Sequence, residues 1–353
     1  MREKIKMFEP KFVITNKINN SLLEIERARG FLDAAQLKEN WIRDMQSEAL
    51  ILESHASTHI EGTRLTLSQA RKILTGKRVS GVHPDDRKEL LNYRKAVDFV
   101  SEYLGKEDFI TESLICEIHK ILVRGVRGNS AGPGNYRKVQ NYVINSSTGE
   151  IIYTPPPPER VPTLMREFIV WLNEESNISP VLRAGISQFH FVHIHPFLDG
   201  NGRTTRLICT LILYKSGYDF KRLFSLSEYY DKNRGKYYDA IQSVRKNNMD
   251  MTGWLEYFME GLKSQMLEVK NKGEMAIKKD ILLDRTSKSG LRERQLKGIK
   301  FLIKNGQMKP SEYIKINPDI THRTAQRDIK ELLERGFIIR KGATNKLVYF
   351  LKI

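Results

Sequence analysis

Apolar residues recur every three or four positions along most of this chain, which is the spacing of amphipathic α-helices. This spacing predicts ten helices in the first 272 residues, each with one apolar face. They fall at residues 22–37, 41–61, 68–74, 85–104, 112–123, 161–175, 181–194, 202–216, 235–246 and 251–272. The predicted fold class is therefore mainly α.

One short segment departs from the helical pattern. Residues 142–144 and 151–153 are apolar or aromatic and flank a polar turn that contains Gly149, which predicts a β-hairpin. The four prolines at 155–158 cannot continue a strand or a helix. An isolated hairpin is only marginally stable. The hairpin therefore either decorates the helical core or offers an edge to a partner.

The C-terminal part of the chain predicts a separate unit. Charge increases and apolar periodicity weakens across residues 273–290, which indicates a linker. Beyond it, helices are predicted at 292–305, 308–316 and 323–335, with Thr321 capping the third helix and Gly336 ending it. Two strands follow at 337–341 and 347–351. This order of elements in residues 291–353 resembles a winged helix-turn-helix.

The charge of the chain points to a polyanionic partner. The net charge is +17, and about half of this surplus falls in residues 291–353. A face of the predicted third helix that can enter a DNA major groove carries His322, Arg323, Thr324, Gln326, Arg327 and Lys330, with Arg340, Lys341 and Lys346 beside it. Winged helices also serve as protein–protein modules, so both alternatives stay open.

Several features of the sequence bear on the cellular compartment of the protein. The chain has no apolar run of about 18 or more residues, so we expect no membrane span. Residues 1–6 lack the apolar region of a signal peptide. Cys116 and Cys209 lie in apolar helical patterns and are expected to be buried thiols. These features predict a cytoplasmic protein.

Residues 195–206, His-Pro-Phe-Leu-Asp-Gly-Asn-Gly-Arg-Thr-Thr-Arg, combine groups that suit a metal-bound polyphosphate. His195 can accept a proton near neutral pH, and the proline after it disfavours a helical conformation. The sequence Gly200-Asn201-Gly202 can turn successive N–H groups toward an anion. A helix that begins near Gly202 adds its positive N-terminal end.

Two arginines and a carboxylate complete this segment. Arg203 and Arg206 are three residues apart, so they are expected to share a helix face and to bind phosphate oxygens. Asp199 is an oxygen ligand suited to Mg²⁺ that bridges phosphates. The histidines within residues 190–195 and Asp199 offer a rival metal site. That site would leave the glycine turn and both arginines unused.

A second segment with unusual chemistry ends the predicted helix at 41–61. Ser57 and Glu61 are four residues apart and share a face, and Gly62 suits the position after the helix. The helix dipole disfavours an anion at this end, so Glu61 is expected to have a cationic partner. A surface pair with Arg64 is the simpler alternative.

Residues 195–206 match HPFx(D/E)GNGRxxR, the core motif of the Fic (Fido) family, at every defined position. The resemblance implies a helical Fic core at residues 111–272 with a flap hairpin at 142–153. It also implies an N-terminal helical region at 1–110 that holds an inhibitory helix at about 41–62. Most members of this family transfer AMP from ATP to a protein hydroxyl. The implied protein is an enzyme, a nucleotidyltransferase.

The resemblance implies a role for each residue of the motif. His195 would deprotonate a Tyr, Thr or Ser of the target, and Asp199 would hold Mg²⁺ (or Mn²⁺). Arg203 would support the β-phosphate and Arg206 the γ-phosphate of ATP. Residues 225–238 are rich in tyrosine and can border the base, where Lys232 is a further expected contact. The expected nucleotide-binding residues are Gly200, Asn201 (backbone and side chain), Gly202, Arg203, Thr204, Thr205, Arg206 and Lys232.

Ser57-x-x-x-Glu61-Gly62 resembles the family's inhibitory motif, (S/T)xxxE(G/N), in its class II arrangement. This implies that Glu61 pairs with Arg206 and occupies the γ-phosphate region. In the family, the flap pairs with an extended segment of the target protein. Residues 134–137, Gly-Asn-Tyr-Arg, also resemble the family's lead-in to the flap.

Other functions remain open. The chain can be a DNA-binding regulator whose Fic core senses a nucleotide without turnover. It can also use another nucleotide, or remove AMP through Glu61. A homodimer is compatible with the buried position of residues 57–61, and the target protein is not specified by the sequence.

Overall fold

The computed structural model describes residues 8–103, 109–126, 132–145, 148–218, 222–343 and 346–352. The chain divides into two compact units, residues 1–270 and 271–353. The first unit contains α1 (Asn16–Ala34), α2 (Glu39–Ile60), α3 (Leu67–Leu74), α4 (Pro84–Tyr103), α5 (Glu112–Val123), α6 (Val161–Asn173), α7 (Pro180–Ile194), α8 (Asn201–Lys215), α9 (Leu226–Lys232) and α10 (Arg234–Lys246). Helix α11 (Thr252–Ser287) continues into the second unit.

Nine of the ten predicted helices are present with similar bounds, so the mainly α prediction is confirmed. The tenth, predicted to end at residue 272, extends to Ser287 as α11. The linker predicted at 273–290 is therefore mostly helical. Residues 274–283 are rich in strong helix formers, and the single glycine at 273 costs only about 1 kcal/mol in a helix interior. Helix α9 was missed because it is too short for a clear apolar period.

The core of the first unit is built around α7 and α8. Eleven residues of α7 and eleven of α8 are buried, because other helices cover these two on most sides. Helix α11 approaches α7 closely at Gly185, whose carbonyl accepts a hydrogen bond of 2.7 Å from Trp254 Nε1. The loop between α7 and α8, residues 195–200, therefore connects two tightly packed helices.

The predicted hairpin at 142–153 is confirmed as β1 (Val143–Ile144) and β2 (Ile151–Tyr153). The strands are antiparallel, with Val143 opposite Tyr153. The predicted polar turn includes residues 146 and 147, which lie outside the described residues. Tyr153 anchors the hairpin, since its hydroxyl donates to the carbonyl of His193 over 2.8 Å.

The second unit has the predicted order of elements. It contains α12 (Glu293–Asn305), α13 (Pro310–Lys315), α14 (His322–Glu334), β3 (Ile338–Lys341) and β4 (Val348–Leu351), and the two strands are antiparallel. The side chain of Thr321 accepts a hydrogen bond from Thr324 N, as expected for an N-cap. Buried Asp328 joins α14 to Arg292 at 2.9 Å. No helix in the described part of the chain is long and apolar enough to cross a membrane.

Substitution of Gly185 tests how tightly α7 packs on α11. A Cβ at this position would lie 2.8 Å from Phe258 Cδ1 and 3.0 Å from Leu255 Cδ2. We expect Gly185→Ala to lower the free energy of unfolding by about 1–3 kcal/mol through overpacking, measured by urea denaturation. Gly235→Ala is the control, because nothing lies within 4 Å of its added Cβ. Equal stability of both variants would contradict this packing.

Candidate active site

His195 ends α7 in a left-handed conformation, with φ 52° and ψ 58°. The next residue is Pro196, which disfavours the right-handed helical conformation for His195, as the sequence predicted. The ring nitrogen Nδ1 lies 3.2 Å from the carbonyl oxygen of Val192. A carbonyl oxygen only accepts, so Nδ1 carries the proton in this contact. The other nitrogen, Nε2, then has a free lone pair.

The surroundings of His195 keep it neutral. Burial lowers the pKa of His195 to about 4, although the Val192 carbonyl opposes this shift. The positive charge of Arg245 lowers the pKa further, and the negative charge of Glu61 raises it. At neutral pH the ring is therefore an unprotonated base. A neutral ring has a lone pair that can accept a proton, which a general base needs.

The turn before α8 depends on a glycine at position 200. Gly200 has φ 79°, and a Cβ there would lie 2.8 Å from Val123 Cγ1. Asn201 fixes the same turn with its side chain, which accepts from Phe197 N at 2.9 Å and donates to Phe197 O at 2.7 Å. The Asn201 side chain is thus bonded to the loop itself, and its expected contact with phosphate stays a prediction. It shapes the loop and is itself buried.

The end of α2 and the N-terminus of α8 meet at Gly202. Arg206 Nη2 lies 2.8 Å from Glu61 Oε1, so the predicted Glu61–Arg206 contact is present and the alternative pair with Arg64 is not needed. Arg206 also donates to the hydroxyl and carbonyl oxygens of Ser57, both at 2.8 Å. A Cβ at Gly202 would overlap the Glu61 carboxylate. Glu61 thus rests directly on the first turn of α8.

The conformation of Gly62 explains how Glu61 reaches this position. Gly62 has φ 104°, so the chain leaves α2 immediately after Glu61. The guanidinium of Arg206 is buried. Burial by itself would lower the pKa of Arg206, but the facing Glu61 carboxylate outweighs this and raises it. Arg206 is therefore permanently charged, and its main anionic partner in the structure is a side chain of the same protein.

Arg203 faces a different helix. Its guanidinium lies 2.8 Å from Glu89 of α4 and 3.3 Å from Asp199, and the side chains of Arg203 and Glu89 are 1% and 0% exposed. Arg206 instead contacts Glu61 at the end of α2, so the two arginines have partners on different helices. That both bind phosphate from one shared face stays a prediction. Arg203 orders the carboxylate of Asp199.

Asp199 is the accessible carboxylate of the loop. Its Oδ1 accepts from Gly200 N at 2.6 Å, and its side chain is 40% exposed. Among the described residues, no three His, Cys, Asp or Glu side chains gather into a possible metal site. The rival histidine site is accordingly not formed. His190 stacks on Phe8 at 3.6 Å, and Nδ1 of His193 is hydrogen-bonded to Tyr153.

Three other side chains that were expected to contact the nucleotide lie in the core or on the surface. Thr204 and Thr205 are fully buried in α8, where Thr205 donates to Gln188 O at 3.1 Å. Their side chains belong to the core, because α7 covers this face of α8. Lys232 lies on α9 and pairs with Glu228 at 2.7 Å on the surface. These side chains contact other parts of the protein, and their expected nucleotide contacts stay predictions.

Two residues that position the loop were not predicted. His119 of α5 stacks on Phe197 at 3.6 Å, and its Nε2 lies 3.0 Å from the carbonyl oxygen of Asp199. Arg137 donates from Nε to the carbonyl of His195 at 2.9 Å. A lone histidine in an apolar helix gives no signal in a sequence. Arg137 was indicated only by its place in the lead-in to the hairpin.

The hairpin is tied to the same region by Arg245 of α10. Its guanidinium carbon lies 3.6 Å from the ring centre of Tyr153, a cation–π contact. The Tyr153 hydroxyl in turn contacts His193, two residues before His195. The last residue of β2 is therefore fixed relative to the base.

A partly buried carboxylate anchors α2 to its neighbours. Glu53 of α2 accepts hydrogen bonds from Tyr93 at 2.8 Å, from Ser225 at 2.8 Å and from Ser227 N at 3.1 Å. These bonds join α2 to α4 and to the first turn of α9. The position of Glu61 is therefore set by contacts along the whole second half of α2.

Comparison with known proteins agrees with this geometry. Residues 109–213, from α5 through α8, match the Fic/DOC family. The chain is 32% identical over 229 residues to the protein adenylyltransferase Fic of Culex quinquefasciatus, covering 64% of this chain and 43% of that protein. It is 34% identical over 209 residues to that of Drosophila erecta, covering 58% and 40%. The chain thus spans less than half the length of these relatives.

Solved structures share the fold. A Fic family protein from Desulfovibrio desulfuricans G20 aligns with 98% of both chains at a TM-score of 0.63 and 24% identity. Residues 134–508 of Fic-1 from C. elegans align with 73% of both chains, with a TM-score of 0.63 and 25% identity. Residues 109–213 therefore match the Fic/DOC family, and the helical fold of the chain is shared with these solved structures.

Substitution of Glu89 tests how much the buried Arg203–Glu89 pair stabilises the protein. Removing one partner leaves an uncompensated buried charge, so we expect Glu89→Ala to cost about 3–5 kcal/mol of unfolding free energy. Glu24→Ala is the control, because the Glu24–Arg27 pair is exposed and is worth about 1 kcal/mol or less. Chemical denaturation of the two variants would measure this, and a similarly small loss in both would contradict the burial of the pair.

The protonation state of His195 can be measured directly. With its pKa near 4, the neutral ring is favoured above that pH and the proton binds only as the pH falls through it. We expect the His195 ring signals in NMR spectra of the full chain to stay unchanged from pH 8 to about pH 5.5, while a blocked histidine in the same tube titrates near 6.5. His195→Ala assigns the signals. A midpoint above pH 6 would refute the assigned desolvation.

Proposed function

We propose that this protein is a protein adenylyltransferase that transfers AMP from ATP to a hydroxyl of a protein and that Glu61 holds it in an inhibited state. The observation that carries the proposal is the Glu61 carboxylate, which lies on Gly202 at the N-terminus of α8 and pairs with Arg206. A helix N-terminus followed by a buried arginine is a site for phosphate. Here an anion of the chain itself occupies that site.

The donor nucleotide is proposed to bind across the α8 N-terminus. The first turn of α8 offers backbone N–H groups and the positive end of its dipole to the phosphates. Arg206 would hold the γ-phosphate once Glu61 leaves it. Glu61 and that phosphate compete for one guanidinium, so ATP is expected to bind unproductively while α2 stays in place.

His195 is proposed to be the general base. Its Nε2 lone pair would take the proton of a Tyr, Thr or Ser hydroxyl, whose oxygen forms a bond to the α-phosphorus. The bond from that phosphorus to the oxygen bridging to the β-phosphate breaks, and pyrophosphate leaves. Positioning and charge neutralisation supply most of the acceleration in such transfers.

Asp199 fits the metal that the family resemblance implies. Mg²⁺ commonly binds one or two carboxylates and takes its remaining ligands from substrate phosphates and water. Asp199 is a partly exposed carboxylate beside the α8 N-terminus, and the described residues offer no larger ligand set. A bound Mg²⁺ or Mn²⁺ would neutralise phosphate charge there. Arg203 would keep the carboxylate in place.

The target protein is proposed to bind along the β1–β2 hairpin. Ile144, Ile151 and Ile152 are exposed on these strands, as is Tyr142 just before them. An exposed strand edge with apolar side chains can pair with an extended segment of another chain. Arg245 and His193 fix this edge relative to His195, so backbone pairing would bring a hydroxyl of the target to the base.

Release of Glu61 should activate the protein. We expect Glu61→Gly, incubated with ATP and Mg²⁺, to gain the mass of one or more AMP groups at least about 10-fold faster than the parent. Glu61→Gln keeps the shape but loses the charge, so an intermediate rate is expected. Intact-mass spectrometry of the protein gives the readout.

The matched control is Glu61→Gly combined with His195→Ala, which should lose the gain because the base is gone. Equal rates for parent and Glu61→Gly would refute inhibition by Glu61. If no variant gained AMP, even with added cell extract as a source of target, the proposed transfer from ATP would be wrong, and transfer of another nucleotide or nucleotide sensing would take its place.

A second activity is proposed for residues 291–353. Helix α14 buries Ala325, Ile329 and Leu332 and leaves its opposite face exposed, where the polar side chains are His322, Arg323, Gln326, Arg327 and Lys330. Exposed Arg340 and Lys341 extend the same charge onto β3. We propose that this face binds DNA, with α14 in the major groove.

Replacement of two exposed arginines tests DNA binding. We expect Arg323→Ala with Arg327→Ala to weaken binding of a mixed-sequence duplex by about 1–3 kcal/mol and to reduce its salt dependence. Lys297→Ala on α12, which is exposed but outside this face, is the control. Fluorescence anisotropy at several salt concentrations gives the measurement. No binding by the parent at low salt would favour a protein partner instead.

A further inference from the structure

A cavity of about 310 Å³ lies on the side of α2 that carries residues 43–53, which precede Ser57 and Glu61 on the same helix by about one to five helical turns. Its walls come from α2, α4, α8 and the segment at residues 222–226 that leads into α9. None of the residues discussed at the α7–α8 loop lines it. This volume is at the lower end of the range for small-molecule sites in proteins.

Part of the cavity lining is apolar. Ala49, Leu213 and Leu226 are buried and form its floor, and Phe224 and Tyr214 add aromatic surface. Apolar floors with aromatic walls accept flat or aliphatic ligand bodies. The floor joins three different elements, so a ligand body seated here would contact α2 and α8 at once.

The opening of the cavity is positively charged. Arg43 and Arg222 are exposed there, and within the described residues neither has an acidic partner. Arg94 also lines the cavity and is shared between Asp98 at 3.7 Å and the Leu74 carbonyl. The other acidic residue of the lining is Glu53, whose carboxylate is already taken by three neighbouring groups, as described above. The opening therefore attracts an anion.

Arg222 adopts an unusual backbone conformation. Its φ is 54°, a left-handed value that is rare outside glycine. Its guanidinium lies 5.9 Å from the Tyr214 ring centre, at the edge of the cavity. Such backbone outliers cluster at ligand sites, where the surrounding structure holds them. The position of this arginine is a second observation, independent of the volume.

We propose that this cavity is a regulatory site for a small anionic molecule, one that bears a phosphate, sulfonate or carboxylate on a flat or aliphatic body. Because α2 forms one wall, the cavity has this shape only when α2 is docked. A ligand that prefers one arrangement of a protein stabilises that arrangement. Occupancy would therefore strengthen the contact of Glu61 with Arg206. This regulatory part rests on the proposed adenylyltransferase function, whereas the binding itself does not.

Anilinonaphthalene sulfonate is a suitable probe, since it joins one anion to an aromatic body. We expect saturable fluorescence enhancement with the full-length parent protein at one site, and affinity at least about 10-fold lower in Arg43→Ala and Arg222→Ala. Arg27→Ala, an exposed position on α1, is the matched control and should bind like the parent. Excess ATP with Mg²⁺ should not displace the probe.

Competition experiments with the probe distinguish two classes of natural ligand, nucleotides and acyl compounds. Displacement of the probe by AMP indicates a nucleotide ligand, and displacement by octanoate indicates an acyl ligand. The proposal is overturned if the probe does not bind, if the two arginine variants bind like the parent, if ATP displaces the probe, or if neither competitor does.

The proposed effect of a bound ligand on inhibition is measured as the rate of AMP transfer. In Glu61→Gln, where α2 still docks but inhibition is weaker, the probe should slow AMP transfer about fivefold or more. Glu61→Gly should be unaffected, because the docked helix no longer blocks Arg206. An equal effect on both variants would mean that the probe acts elsewhere. If no variant transfers AMP, the proposed function fails, while the fluorescence titrations still decide whether the cavity binds an anion.

Discussion

The ion pair between Glu61 and Arg206 is the contact on which the rest of the site depends. Arg206 is buried and permanently charged, so an anion must compensate it at all times. The chain supplies that anion from α2, and ATP is proposed to supply it during catalysis. Exchange of one anion for the other keeps the buried charge balanced. In the proposed mechanism, inhibition by Glu61 and binding of ATP both satisfy the need of Arg206 for an anion.

The same requirement explains why so much structure supports α2. Glu53 joins α2 to α4 and α9, while Ser57 offers two oxygens to Arg206. Gly202 lacks a side chain that would otherwise overlap the Glu61 carboxylate. A cavity next to this helix is therefore well placed for control. Small changes in how α2 docks alter access to a single guanidinium.

His195 shows a parallel dependence on its neighbours. Burial keeps the ring neutral, and the Val192 carbonyl selects the tautomer in which Nε2 carries a lone pair. Arg137 and Asn201 hold the loop on either side. None of these side chains needs to touch a substrate. They set the geometry in which one imidazole acts as a base.

The sequence alone determined the helical class, the hairpin and the motif at residues 195–206, because short-range spacing specifies these features, whereas the Glu61–Arg206 pair was implied by the resemblance to the Fic family. It did not determine what Arg203, Asn201, Thr204 and Thr205 contact, since all four lie in one continuous segment that looks uniformly functional. Only packing decided that Arg203 contacts α4, that Thr205 contacts α7, that Thr204 is buried and that Asn201 binds the loop. Long-range partners such as Glu89, Glu53 and His119 have no local signature, because their roles arise when distant helices meet.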